Sequence, residues 1–218
     1  MDFETDAVQV GKFKVDVIQN DMYIGPCLRA GHEWDGWMRH DLPHITRPGQ
    51  DILDIGGNIG YNALMYSDYC TVHTFDPLFH PIISKNVNQN TLAHPVHVHP
   101  YGLSDAARNI DVWIHIGEDG KRNFGGTCLG GSPIHEKFKE ARVERLDDVY
   151  SGTPCLVKID VEGHELEVLK GAEMTIRKHK PNMYIEIFEL DGPVPKLLRE
   201  WGYTTMIPRP EHNYLFIR

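Results

Sequence analysis

The 218 residues are 41% hydrophobic and 24% charged, enough apolar content for one α/β domain with a full core and too little length for two. A formal charge of -9 argues against nucleic acid or an anionic membrane surface as partner, because such binders concentrate Lys and Arg on one face. Four scattered cysteines without a C-x-x-C pair, an acidic N-terminus unlike a signal peptide and no apolar run near the roughly 20 residues of a membrane span lead us to expect a soluble, reduced, cytoplasmic chain.

Residues 1–49 read as a cap, with strand alternation at Phe13, Val15 and Val17 and a helix over Glu33–His40. From residue 50 onward the pattern is that of a core: a strand over Asp51–Ile55, a turn over Gly56–Gly60, a helix over Tyr61–Ser67 and a strand over Val72–Asp76. A helix over Pro81–Gln89 and strands over Val96–Tyr101 and Ile110–Ile116 follow, then a Gly-rich insertion at about 117–133 read as a loop or hairpin. Alternation resumes with a strand over Cys155–Asp160, one helix over Glu165–Lys180 and a strand over Met183–Phe188. The chain closes with a helix over Pro195–Trp201 and strands over Tyr203–Ile207 and Tyr214–Ile217. This order predicts a single domain over residues 1–218, a doubly wound α/β fold of Rossmann type. Its mostly parallel seven-stranded sheet carries helices on both faces, and its ligand lies beyond the strands' carboxyl ends.

Three stretches carry chemistry. Asp54, Gly56, Gly57, Asn58, Gly60 and Tyr61 form a strand-turn-helix junction suited to a nucleoside; Asn58, where a dinucleotide site wants glycine, speaks against a pyrophosphate and for S-adenosylmethionine over NAD. Asp76, followed by Pro77, ends the next strand, where a carboxylate can accept hydrogen bonds from ribose hydroxyls. Lys158, Asp160, Glu162 and His164 put charge into and just beyond a strand that should be apolar, and Glu186 ends the following strand.

Through Leu53-Asp54-Ile55-Gly56-Gly57-Asn58-Ile59-Gly60-Tyr61, Phe75-Asp76-Pro77, Gly102-Leu103-Ser104-Asp105 and Lys158-Ile159-Asp160-Val161-Glu162-Gly163-His164-Glu165, the chain resembles the FkbM-type methyltransferases. The resemblance runs from about Asp51 to Phe188 and implies O-methylation, commonly of sugars or related natural products, with S-adenosylmethionine as donor. It also implies that Asp54, Gly56, Asn58 and Gly60 hold the methionine portion, Asp76 the ribose, and Ser104 and Asp105 the neighbourhood of the adenine. Asp160, Glu162 and Glu186 would border the transferred methyl group. Asp76 stands where the family more often has Glu, and Gly57 where it more often has Ala.

An aliphatic hydroxyl needs a base as the new bond forms, and Asp160 is the first candidate, then His164 and Glu162. Asp160 and Glu186, if adjacent, either share a proton or hold a cation such as Mg²⁺; Lys158 and the lack of a His-x-x-x-His motif favour a metal-free salt-bridge network. His135 and Arg122 reach the acceptor only if the Gly-rich segment folds over the site. The acceptor expected is a small molecule or glycan. The competing readings are an NAD-dependent oxidoreductase and a catalytically silent nucleoside-binding domain.

Overall fold

A computed structural model describes residues 3–117, 121–131 and 135–218, with His135 described in its backbone alone. The first elements are strands β1 (Thr5–Val10) and β2 (Phe13–Ile18), helices α1 (Ile24–Arg29) and α2 (Met38–Ile45), strand β3 (Asp51–Ile55), helix α3 (Tyr61–Tyr66), strand β4 (Thr71–Phe75), helix α4 (His80–Asn88) and strand β5 (Val96–His99). Then come β6 (Gly102–Leu103), β7 (Arg108–Ile116), β8 (Arg122–Leu129), β9 (His135–Glu144) and helix α5 (Leu146–Val149). The chain closes with β10 (Pro154–Ile159), α6 (Glu165–Gly171), α7 (Glu173–His179), β11 (Asn182–Glu186), α8 (Pro193–Glu200), β12 (Thr205–Pro208) and β13 (Asn213–Ile217).

The main sheet has seven strands in the order β12-β13-β11-β10-β3-β4-β5. β10, β11, β3, β4 and β5 pair in parallel, while β13 lies antiparallel to both of its neighbours. The order reverses between β3 and β10, the switch point at which two βα turns diverge and leave a crevice. The buried positions of both central strands are otherwise apolar, as burial on two faces requires, so Asp54 and Lys158 stand out among them, while Asp51 sits half-buried at the start of β3. One cluster, including Leu53, Val157, Ile176 and Ile185, fills one face; another, including Met38, Ile52, Tyr66 and Leu156, fills the other.

The stretch read as a Gly-rich insertion belongs to a larger device. β6, β9, β7 and β8 form a second, four-stranded sheet, so the departure from the α/β pattern runs from Gly102 to Glu144. β9 pairs antiparallel with β7 yet reads as polar, because one of its faces carries Glu136, Glu140 and Arg142 toward solvent. This sheet packs with β1, β2, α1, α3 and α4 around Phe13, Val15, Val112 and Phe124, and a bridge between Asp21 and Arg122 joins it to the cap.

Two helix boundaries move for identifiable reasons. The helix placed over Glu33–His40 begins at Met38, because Glu33 and Asp35 are drawn into side-chain bonds with Tyr61 and Asn62 and Asp35 takes a left-handed φ of 53°. The helix placed over Glu165–Lys180 is two helices: Asp147 of α5 accepts the Met174 and Thr175 N–H groups at 3.0 and 2.9 Å, capping α7 as a separate helix.

Candidate active site

At the carboxyl ends of β3, β4, β10 and β11 lies a cleft lined by residues from all four strand ends. Its floor is the junction after β3. Gly56 has φ +88°, and a Cβ there would run into the Asp160 carbonyl oxygen; the Asp160 N–H in turn donates to the Ile55 carbonyl at 3.0 Å. Gly56 is thus required by the chain's own packing: it lets the turn after β10 seat directly on the turn after β3, which brings the two charged motifs together.

Asp76 sits on the wall where β4 ends. Its Oδ1 accepts the Leu78 and Phe79 N–H groups at 2.8 and 2.6 Å and its Oδ2 accepts the Asn58 N–H at 2.9 Å. Burial outweighs these bonds and pushes the carboxyl up to about 6. With Oδ1 already accepting two bonds, Oδ2 keeps one acceptor position, and Asp76 lines the cleft. Pro77, Leu78, Phe79 and Leu103 supply an apolar wall beside it, suited to a flat base. Asn58, at φ +49°, donates from Nδ2 to the Phe124 carbonyl at 3.1 Å and so binds the floor to the second sheet.

The opposite half of the cleft is acidic. Asp160, Glu162 and Glu186 each bring a carboxylate oxygen to within 4.8 Å of the others, the arrangement among the described residues that could hold a metal ion. Lys158 is 3% exposed and donates to Asp160 at 2.8 Å. Burial works against its ammonium, but Asp160, Asp54 and Asp35 outweigh that and hold its pKa above the usual range. Burial, then the neighbouring Asp160 and Glu165, push Glu162 up to about 7; burial with Asp160, Glu162 and Glu165 pushes Glu186 up to about 9. The Glu186 Oε2 atom is buried without a partner.

Of the residues singled out by sequence, Gly56, Gly57, Asn58, Tyr61, Asp76, Pro77, Lys158, Asp160, Glu162 and Glu186 line this cleft. Asp54 does not: it is fully buried, accepts from the Thr74 hydroxyl at 3.0 Å and faces Lys158 from beneath. His164 and Ser104 are also buried and bond each other at 2.9 Å, and Asp105 turns to Arg108 at 2.7 Å; this trio fastens α6 to the second sheet outside the cleft. The Gly60 N–H closes the turn on the Gly57 carbonyl at 2.8 Å behind the lining. Arg122 lies at the start of β8, its backbone bonded to Asn20 and Met22, away from the cleft, and the His135 side chain is outside the described residues. Asp35, Asn62, Glu211 and Asn213 line the cleft without having been read from sequence. They come from the cap, from α3 and from the β12–β13 turn, and no local pattern marks them.

The nucleoside expected from the sequence fits what is present. Asn62 is 7% exposed and lines the cleft with its Oδ1 unpartnered, an acceptor free for an ammonium, while Asp76 offers the carboxylate a ribose needs.

Comparison with known proteins agrees with this geometry. Residues 54–205 match the methyltransferase FkbM domain. The hexuronic acid methyltransferase AglP of Haloferax volcanii is 31% identical over 181 residues, covering 77% of this chain and 69% of that protein. Methyltransferase 1 of Beauveria bassiana is 25% identical over 238 residues, covering 96% of this chain and 89% of that protein. The crystal structure of methyltransferase FkbM from Methylobacillus flagellatus superimposes with a TM-score of 0.55 at 18% identity, sharing the fold; the match covers 81% of this chain and spans 45% of that one. On the family match and the AglP likeness together, the chain belongs to the FkbM family of S-adenosylmethionine-dependent methyltransferases.

Proposed function

We propose that the protein methylates a hydroxyl of a sugar or glycan, with Asp160 as the base. The observation that carries this reading is the convergence, in one cleft, of a nucleoside-shaped half around Asp76 and a carboxylate half around Asp160. The sugar-directed relative supports the acceptor class.

S-adenosylmethionine supplies an activated methyl on a sulfonium. The Gly56–Asn58 turn, with Asp35 and Asn62 nearby, would hold its methionine portion, and Asp76 would hold its ribose. Asp160 accepts the hydroxyl proton, and Lys158 holds that carboxylate in position from below. Glu186 carries a proton at neutral pH and so leaves Asp160 as the acceptor of a proton rather than a competitor. Most of the catalysis is then alignment of the acceptor oxygen at roughly 3 Å from the methyl carbon with water excluded.

Replacing Asp160 with Asn should leave S-adenosylhomocysteine affinity within about threefold by calorimetry and lower methyl transfer by about a hundredfold or more. Equal loss of binding and turnover would contradict the division between the two halves.

A second reading has a specific observation behind it, the three convergent carboxylates. A divalent cation there would orient the acceptor hydroxyl and must displace protons from Glu162 and Glu186. Mg²⁺ affinity would therefore climb between pH 7 and 9 as those carboxyls ionise. Full activity after EDTA treatment would remove this reading and leave the metal-free one.

A further inference from the structure

The β12–β13 turn has an unusual construction. Glu211 and His212 are consecutive non-glycine residues with φ +57° and +60°, held there by Arg209 and Asn213 N–H groups on the Asn213 and Pro210 carbonyls at 2.7 and 3.1 Å. The turn delivers Glu211 and Asn213 to the cleft. Asn213 is 5% exposed; its Nδ2 donates to the Pro210 and Glu211 carbonyls, which fixes Oδ1 as an acceptor, and that oxygen has no partner. A buried acceptor on a residue lining a cleft gains its missing bond only when a ligand donor reaches it.

Beside the turn stands an aromatic pair. Phe188 is 62% exposed and lies 5.0 Å between centroids from His212, while the Ile187 N–H donates to the His212 carbonyl at 2.9 Å. Phe188 follows Glu186 by two positions, and His212 sits between Glu211 and Asn213, so the pair adjoins residues that line the cleft, although neither ring is itself part of the lining. An exposed ring beside hydrogen-bond acceptors suits a pyranose, whose axial C–H face is apolar and whose edge carries hydroxyl donors.

Charge narrows the choice. Asp35, Asp76, Asp160, Glu162 and Glu211 line the cleft together with Glu186, which keeps its proton at neutral pH, and Lys158, already tied to Asp160, is the cation among the described lining residues. Burial, then Asp35 and Asp160, raise the Glu211 carboxyl, as expected where negative charge lacks a counter-ion. A further carboxylate on the acceptor would meet like charge at short range.

We infer that the Phe188–His212 pair and the Glu211–Asn213 turn form the acceptor subsite, and that it takes a neutral or amino-substituted sugar rather than a hexuronate. This rests on the sugar-methylation reading above and departs from the acceptor for which the Haloferax relative is named.

The test is saturation-transfer NMR from the protein loaded with S-adenosylhomocysteine to three probes, methyl glucoside, methyl glucosaminide and methyl glucuronide, beside calorimetry of the S-adenosylhomocysteine itself. Saturation of the first two should exceed that of the glucuronide roughly fivefold, and Phe188→Ala should reduce it by a similar factor while the S-adenosylhomocysteine Kd stays within about twofold. Glu211→Arg should reverse the order in favour of the glucuronide. A wild-type preference for glucuronide, no saturation of any probe despite normal S-adenosylhomocysteine binding, or an inert Phe188→Ala would overturn the acceptor assignment alone. Failure to bind S-adenosylhomocysteine would overturn the methyltransferase reading and the acceptor assignment with it.

Discussion

Lys158 is the residue on which the charge arrangement turns, since its ammonium faces Asp35, Asp54 and Asp160 with almost no water. Lys158→Met leaves those carboxyls uncompensated and should destabilise the protein by about 3–5 kcal/mol in urea denaturation, the usual cost of removing one partner of a buried ion pair. A loss under about 1 kcal/mol would show that the acids simply protonate. Glu186→Gln mimics the protonated carboxyl expected at pH 7, so its turnover there should stay within about threefold of wild type on the metal-free reading and collapse on the metal reading. Lys158, Asp160 and Glu186 were legible in the sequence because charge inside or at the end of an apolar strand is out of place. Asp35, Asn62, Glu211 and Asn213 were not, since each is an ordinary polar residue until the chain has folded around the cleft. Asp54 and His164 show the opposite case: each belongs to a recognisable motif, and each is occupied beneath or behind the site.

The core elements followed from period, propensity and punctuation: β3, β10 and β11 are largely apolar, β4 is rich in β-branched and aromatic residues, all are flanked by turns, and their predicted ends move by a residue or two. What failed were elements whose signal is not local. β9 carries no strand pattern of its own and is set by pairing with β7, and the break between α6 and α7 depends on Asp147, far back in the chain. Gly57, where the family more often has alanine, has an element-scale cause: a Cβ there would run into the Thr74 hydroxyl, which β4 holds against Asp54. Gly57→Ala should therefore cost about 1–3 kcal/mol by overpacking, read from the denaturation midpoint. The β4–β5 edge carries a histidine row, with His73 Nδ1 3.0 Å from His99 Nε2 and the Tyr101 hydroxyl 3.2 Å from His99 Nδ1. Burial, then His73 and His97, lower His99 to about 4. A histidine whose folded pKa is depressed binds its proton better when unfolded, so stability should fall as pH drops from about 6.5 toward 4. His99→Phe, which keeps the stacking on Phe75 at 4.4 Å, should flatten that fall; an unchanged pH profile would contradict the assignment.

For the whole molecule, the sheet places two turns side by side, while the cap and the second sheet supply the remaining walls through Ile24, Trp34, Phe124 and Thr127. This division explains why the cofactor class was readable and the acceptor less so: the turns are motifs, whereas the walls are assembled from parts that share no sequence pattern. The partly exposed ion pairs linking cap and core, Lys12 and Arg39 with Asp68, should matter little, each contributing at most about 1 kcal/mol and fading with salt. The apolar seam around Phe13, Val15 and Phe124 is what holds the walls in place. Whether this cleft binds the methyl donor is decided by isothermal titration with S-adenosylmethionine, S-adenosylhomocysteine and NAD. Micromolar binding of the first two and none of NAD is expected, weakened at least tenfold by Asp76→Ala; binding of NAD, or of none of the three, would rule the donor assignment out.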